Sequence, residues 1–125
     1  MSRRVLVVDD SLLMRSLVKG TLAADGWEIA GEATNGVQAV EMFARLRPDL
    51  VTLDIIMPGT DGIEALKEIL SIDPRAKVIV VSALNQTRVI SEAIRAGAED
   101  FIAKPFMPEQ LQATVQACME DLISV

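Results

Sequence analysis

The chain has 125 residues, half of them hydrophobic, which suits one domain spanning residues 1–125 with a real core and leaves no room for two. Eighteen acidic against twelve basic residues give a formal net charge of −6, which argues against nucleic acid or an anionic membrane as the main partner, because phosphate backbones are bound by Lys and Arg. With no His and a single Cys, Cys118, the chain has no internal disulfide, no His-ligated metal site and no His-dependent triad. The first apolar run, Val5–Val8, follows two arginines and stops at Asp9 and Asp10, so it is too short for a secretory signal. Nowhere does an apolar stretch approach the ~18 residues of a membrane span, and the expected setting is the reducing cytoplasm.

Behind this first strand, Met14, Leu17, Val18 and Leu22 recur at helical spacing, with Ser11 as N-cap and Gly26 at the far end. The second strand, Trp27–Ala33, alternates in polarity and so belongs near an edge. Asn35 opens a helix carrying Ala39, Val40, Phe43 and Leu46, which Pro48 stops. The third strand, Leu50–Leu53, runs into Asp54, then "IIMPGTDG" and a helix striped by Ile63, Leu66, Ile69 and Leu70. Pro74 closes it. The fourth strand, Val78–Val81, meets Ser82, and its helix carries Val89, Ile90, Ala93 and Ile94 up to Gly97. The fifth strand, Phe101–Ala103, meets Lys104. Pro108 then starts a helix striped by Leu111, Val115, Cys118 and Leu122, on which Cys118 reads as a buried hydrophobe rather than a reactive thiol.

Five alternations of strand and helix imply βαβ units: an α/β fold with a parallel five-stranded sheet and helices on both faces. In such a sheet, ligands bind at the edge where the strands' carboxyl ends lie. Asp9, Asp10 and Asp54 all fall there. Any one of them alone reads equally well as a turn former or a cap. If strands one and three are neighbours, the three converge. Two carboxylates ~5 Å apart repel by roughly 3 kcal/mol at an effective dielectric of ~20, so the cluster either raises a pKa or holds a cation. Oxygen-only donors favour Mg²⁺, with Mn²⁺ the alternative. Ser82 and Lys104 end the next two strands at the same edge. A carboxylate nucleophile, a metal, a hydroxyl donor and a lysine make a phosphoryl-transfer site.

With these residues in place, the chain resembles the receiver domain of two-component response regulators, most closely the stand-alone chemotaxis type. The motifs that carry the resemblance are "VLVVDDS", "DLVTLDIIMPGTDGIEAL", "VIVVSA" and "DFIAKPF", in this order, within 4–122. The resemblance implies a doubly wound (βα)5 fold with the flavodoxin-like strand order 2-1-3-4-5. It implies that Asp54 accepts a phosphoryl group from a histidine kinase. Asp10, Asp54 and the backbone carbonyl of Ile56 would ligate Mg²⁺ directly, and Asp9 through a water. Lys104 would pair with the phosphoryl group beside a cis peptide to Pro105. Ser82 takes the switch hydroxyl position and Phe101 the switch aromatic position, although pattern alone favours Phe101 as core. Ile56 and Ala83 would flank the phosphoryl group and set its lifetime, Ile56 slowing its loss because an apolar side chain cannot orient water.

The expected output face comprises Leu84, Asn85, Arg88, Phe101, Met107 and Gln110; it has no basic stripe for DNA and fits a protein helix or a second copy. A flagellar motor switch is the expected target by resemblance. The protein is expected to be no turnover enzyme, and to be a monomer with dimerisation on phosphorylation left open. The rival readings are a phosphorelay carrier, a receiver cut from a longer regulator, and a degenerate receiver acting as an interaction module. A dehalogenase-type phosphatase would need an acid where Ile56 stands. A flavin carrier would need a phosphate-cradling loop after strand one, where this chain has "DDSLL".

Overall fold

A computed structural model describes residues 3–57, 60–83 and 87–120. Five parallel strands, β1 (Arg4–Val8), β2 (Glu28–Ala33), β3 (Leu50–Asp54), β4 (Val78–Ala83) and β5 (Asp100–Lys104), form one sheet in the order β2-β1-β3-β4-β5. Helices α1 (Leu12–Ala24), α2 (Gly36–Leu46), α3 (Gly62–Ile72), α4 (Thr87–Ala96) and α5 (Pro108–Glu120) alternate with them. The expected doubly wound fold and strand order are therefore present. Leu122, expected on the last apolar stripe, lies outside the described residues.

Strand alternation divides the core in two. On one face, Leu6, Val8, Val51, Leu53, Val78 and Val80 pack under α2, α3 and α4, with Phe43 and Leu66 inserted from the helices. On the other, Val5, Val7, Leu50, Ile79 and Ile102 pack under α1 and α5, against Leu22, Leu111, Val115 and Cys118. Each fully buried Leu, Val or Phe side chain contributes about 1.5–3 kcal/mol, so both layers hold the sheet edge rigidly. Cys118 is buried, as its stripe predicts.

The punctuation is physical. Ser11 Oγ accepts from the amide of Met14, and Asn35 Oδ1 from that of Gln38. Gly26 and Gly97 take φ of +92° and +119°, which L side chains rarely adopt. Helix α2 departs from this scheme: Arg47 itself turns left-handed after it, with its amide on Phe43's carbonyl.

Several boundaries differ from the sequence reading. Trp27 precedes β2 rather than opening it; its side chain is buried in the layer under α1 and α5, and its amide closes α1 onto Leu22's carbonyl at 3.0 Å. Two stripe residues are exposed, Leu17 at 38% and Ile94 at 42%. The segment after Asp54 is more than a loop. Ile56–Met57 and Thr60–Asp61 pair as a short antiparallel ribbon, and Asp61 Oδ1 caps α3 by accepting from the amides of Ile63 and Glu64. Among the described residues no helix is long and apolar enough to cross a membrane.

Candidate functional site

Register builds the site. Val8 pairs with Leu53 across β1 and β3, so the next residues, Asp9 and Asp54, come level at the carboxyl edge. Asp54 pairs with Val81 of β4, which sets Ser82 one step beyond it. Ser82 pairs with Ala103 and Ala83 with Lys104. Four strands thus deliver five predicted residues to one edge.

Asp9 and Asp54 are buried there, while Asp10 is exposed. Each of the three offers a carboxylate oxygen, and these oxygens lie within 4.8 Å of one another. The Lys104 ammonium sits between the two buried acids, 3.1 Å from Asp9 Oδ2 and 3.1 Å from Asp54 Oδ2. Their remaining oxygens are held by the backbone: Asp9 Oδ1 accepts from the Ser11 amide at 2.9 Å, and Asp54 Oδ1 from the Ile56 amide at 3.0 Å. Such hydrogen bonds fix each carboxylate's rotation as well as its charge.

Burial pushes the Asp54 carboxyl above its ordinary value; the Ile56 amide and Lys104 oppose that rise, and the Asp9 charge adds to it. Burial alone would lower the Lys104 ammonium, but the bonds to Asp54 and Asp9 hold it above its ordinary value. Three carboxylates against one ammonium leave an excess of negative charge facing solvent through Asp10. Hard oxygen donors, two of them pre-oriented, fit a small divalent cation such as Mg²⁺.

The remaining predicted residues divide by position. The Ser82 side chain is buried, and its hydroxyl has no hydrogen-bond partner among the described residues. An unpartnered buried hydroxyl costs about 1–3 kcal/mol, so a ligand that pairs with it has something to gain. Ile56 is 49% exposed beside Asp54, and Ala83 is half-buried. Phe101 is 39% exposed, which overturns its reading as core. The Lys104–Pro105 peptide is cis.

On the expected output face, Arg88 and Gln110 are exposed and Met107 is 61% exposed. Leu84 and Asn85 lie outside the described residues. Beside this face, Ile90, Ile94, Arg95 and Phe101 line an open groove of about 650 Å³ between α4 and β5.

Sequence reasoning passed over Arg15, Glu32 and Gly62. The Arg15 guanidinium donates to the Asp9 carbonyl at 2.8 Å and to Glu32 Oε1 at 3.0 Å. Gly62 lets the start of α3 approach the Ile55 backbone. The only signals were one arginine in the first turns of α1 and the Asp-Gly pair before α3, and neither names its partner.

Comparison with known proteins agrees with this geometry. The response regulator receiver domain family matches residues 5–116. The chain is 54% identical over 111 residues to the chemotaxis protein CheY of Thermotoga maritima, covering 89% of this chain and 92% of that protein. The receiver domain of NtrX from Brucella abortus superposes with a TM-score of 0.88 at 36% identity, covering 93% of this chain and 98% of that one. The CheX–CheY–BeF3–Mg²⁺ complex from Borrelia burgdorferi matches with a TM-score of 0.84 at 32% identity, covering 98% of this chain and 90% of that one. A family match over most of the chain and relatives near half identity lead to one conclusion: the chain belongs to the response regulator receiver family of two-component systems, close to the CheY chemotaxis proteins.

Proposed function

We propose that this chain is a phosphorylation-dependent signalling switch, that it takes a phosphoryl group on Asp54 from a histidine kinase, and that the domain acts as one unit over residues 1–125. The observation that carries this reading is the Lys104 ammonium held 3.1 Å from both Asp9 and Asp54, with Asp10 completing an oxygen cluster. An Asp54 oxygen forms a bond to phosphorus as the phosphorus–nitrogen bond of the donor's phosphohistidine breaks. The imidazole leaves with the bonding electron pair and takes a proton from solvent. Asp10, Asp54 and the Ile56 carbonyl would hold Mg²⁺, with Asp9 acting through a water. When bound, the ion supplies positive charge against the phosphoryl oxygens.

The other steps belong to the chain's own residues. The Ile56 amide holds one Asp54 oxygen at 3.0 Å, so the second is the one that reacts. Lys104 leaves that oxygen to pair with the transferred group. The Ser82 hydroxyl donates to a phosphoryl oxygen, gaining the partner it lacks. Ser82 pairs with Ala103, and Phe101 lies two residues before Ala103 on the same face of β5. Movement of Ser82 toward the edge therefore opens space on the face that Phe101 borders, and an inward turn of Phe101 reshapes the α4–β5–α5 surface. Ile56 and Ala83 set the phosphoryl lifetime. The chain is then a self-catalysed acceptor rather than a turnover enzyme. It works in the cytoplasm, as a monomer before phosphorylation, with a protein target such as a flagellar motor switch.

Incubation with acetyl phosphate and Mg²⁺ tests this. A mass gain of one phosphoryl group, absent in Asp54→Asn and without Mg²⁺, is expected. No gain in the wild-type chain would leave only an interaction module.

A further inference from the structure

Every polar group of Asp9 is tied down, and one tie comes from a residue with no part in the chemistry above. Its amide donates to the Ala33 carbonyl at 3.1 Å, and its carboxylate is held by the Ser11 amide and by Lys104. Its carbonyl accepts from Arg15 Nη1 at 2.8 Å. The first backbone bond of α1 runs from the Arg15 amide to the Ser11 carbonyl at 2.9 Å, two residues past Asp9, so the helix ladder begins beyond that carbonyl.

The guanidinium is itself anchored. Arg15 Nε donates to Glu32 Oε1 at 3.0 Å, and Lys19 Nζ donates to Glu32 Oε2 at 2.7 Å. Only 12% of the Arg15 side chain is exposed. Arg15 is thus a planar fork between the end of edge strand β2 and the main chain of Asp9. By contrast, the Asp10 carboxylate accepts no hydrogen bond from the described residues, so its position depends on its backbone. The peptide that sets that backbone is the one whose carbonyl Arg15 holds.

We propose that Arg15 is a positioning residue: with Glu32 and Lys19 as its anchor, it fixes the Asp9–Asp10 peptide plane and thereby the spacing of the carboxylates offered to the cation. The proposal rests on reading the acid cluster as a Mg²⁺-assisted phosphoryl-acceptor site. A lysine could reach the Asp9 carbonyl or Glu32 but lacks the rigid two-pronged geometry that serves both.

Mg²⁺ titration calorimetry on the full chain tests it, for wild type, Arg15→Gln, Arg15→Lys and Glu32→Gln, each measured well below its melting temperature. Loss of a residue that orients metal ligands typically weakens the metal by about 10–100-fold, so both Arg15 variants should bind Mg²⁺ at least ~10-fold more weakly. Glu32→Gln should weaken it less, and should add nothing on top of Arg15→Gln. The Asp10 amide resonance should shift in all three. If Arg15→Lys binds like wild type, charge alone suffices and the positioning role is wrong. If melting temperatures fall while Mg²⁺ affinities stay equal, Arg15 is merely structural and the proposal is overturned. Wild type serves as the separate check on the site itself: no saturable Mg²⁺ binding there removes the acceptor-site reading and this proposal together. Wild type that binds Mg²⁺ and takes acetyl phosphate, with unaltered Arg15 variants, removes only the role of Arg15.

Discussion

Gly62→Ala is the smallest change that reaches the site through the backbone. A Cβ placed on Gly62 would lie 2.5 Å from the Ile55 carbonyl oxygen and 2.8 Å from its carbonyl carbon. The Ile55 Cα lies closer still; ordinary contact begins at 3.4 Å, so about 0.9 Å or more of displacement is needed, and all three neighbours are backbone that cannot rotate away. Overpacking of this kind costs about 1–3 kcal/mol. For a domain of this size each kcal/mol moves Tm by roughly 3–6 °C, so a fall of about 3–18 °C is expected. The strain also enters the site, because the chain leaving Ile55 carries the Ile56 amide that holds Asp54 Oδ1 at 3.0 Å. Mg²⁺ binding should weaken by about tenfold. Gly20→Ala is the control. It lies on the exposed side of helix α1 with nothing within 4 Å of its added Cβ, and should stabilise by about 0.4–1 kcal/mol with unchanged Mg²⁺ affinity. Thermal melts and Mg²⁺ titration on the two variants decide the matter. A Gly62→Ala protein that melts with wild type and binds Mg²⁺ equally would refute the claim that this approach sets the loop.

Glu32 predicts a pH effect. The Lys19 hydrogen bond, aided by Arg15 and opposed by burial, holds its carboxyl below the ordinary value. A depressed carboxylate favours the fold above its unfolded pKa of about 4.3, and that gain is lost as pH falls through the folded value. The Tm difference between wild type and Glu32→Gln, present at pH 7, should therefore close on acidification below about pH 4; a gap constant with pH would contradict the linkage. Asp54, which burial pushes the other way, favours the fold only when protonated, so Asp54→Asn should melt above wild type at pH 7 in chelator. Ser82→Ala deletes an unpartnered buried hydroxyl, so it should melt within about 1 kcal/mol of wild type or above it, yet lose most of the acetyl-phosphate-dependent change at Phe101 seen by ¹⁹F or aromatic NMR. Ile56→Asn places a polar group at the mouth of the site and should shorten the phosphoryl half-life; a half-life no shorter than wild type counts against the shielding role.

What could be read from sequence follows from the range of the interactions. The valine- and isoleucine-rich strands carry their burial in their own composition, and the acids ending β1 and β3 stand out against it. Ser11, Asn35 and Gly26 act within a few residues of themselves, so their caps were legible. Trp27 was misplaced because a buried aromatic after a helix and one opening a strand have the same local pattern. Ile94 was misread because its stripe is helical in period, but β5 leaves Phe101 and a groove, not core, beside it. The Arg15–Glu32 pair joins a helix to an edge strand 17 residues away, and the Gly62 approach depends on a loop path. Neither has a one-dimensional signature.

The magnitudes also bound what the proposed switch is able to do by itself. Two carboxylate oxygens within 4.8 Å of one another repel by at least about 3.5 kcal/mol at an effective dielectric of ~20, and on the same scale Lys104, 3.1 Å from both Asp9 and Asp54, attracts each by about 5 kcal/mol, so it offsets the repulsion between those two before any ligand arrives. The unpartnered Ser82 hydroxyl adds about 1–3 kcal/mol that a bound oxygen recovers. On the proposed reading, coupling between the edge and the Phe101 surface would fall in the ordinary range of about 1–3 kcal/mol, at most ~150-fold. Full inversion of a two-state equilibrium from 1:99 to 99:1 needs about 10⁴-fold. On the proposed reading, a switch that rests at 1:99 would be left as a mixed population by phosphorylation alone, and a target on the α4–β5 face would supply the remainder. Linkage makes this reciprocal: whatever factor phosphorylation adds to target affinity, the target returns to the equilibrium occupancy of Asp54.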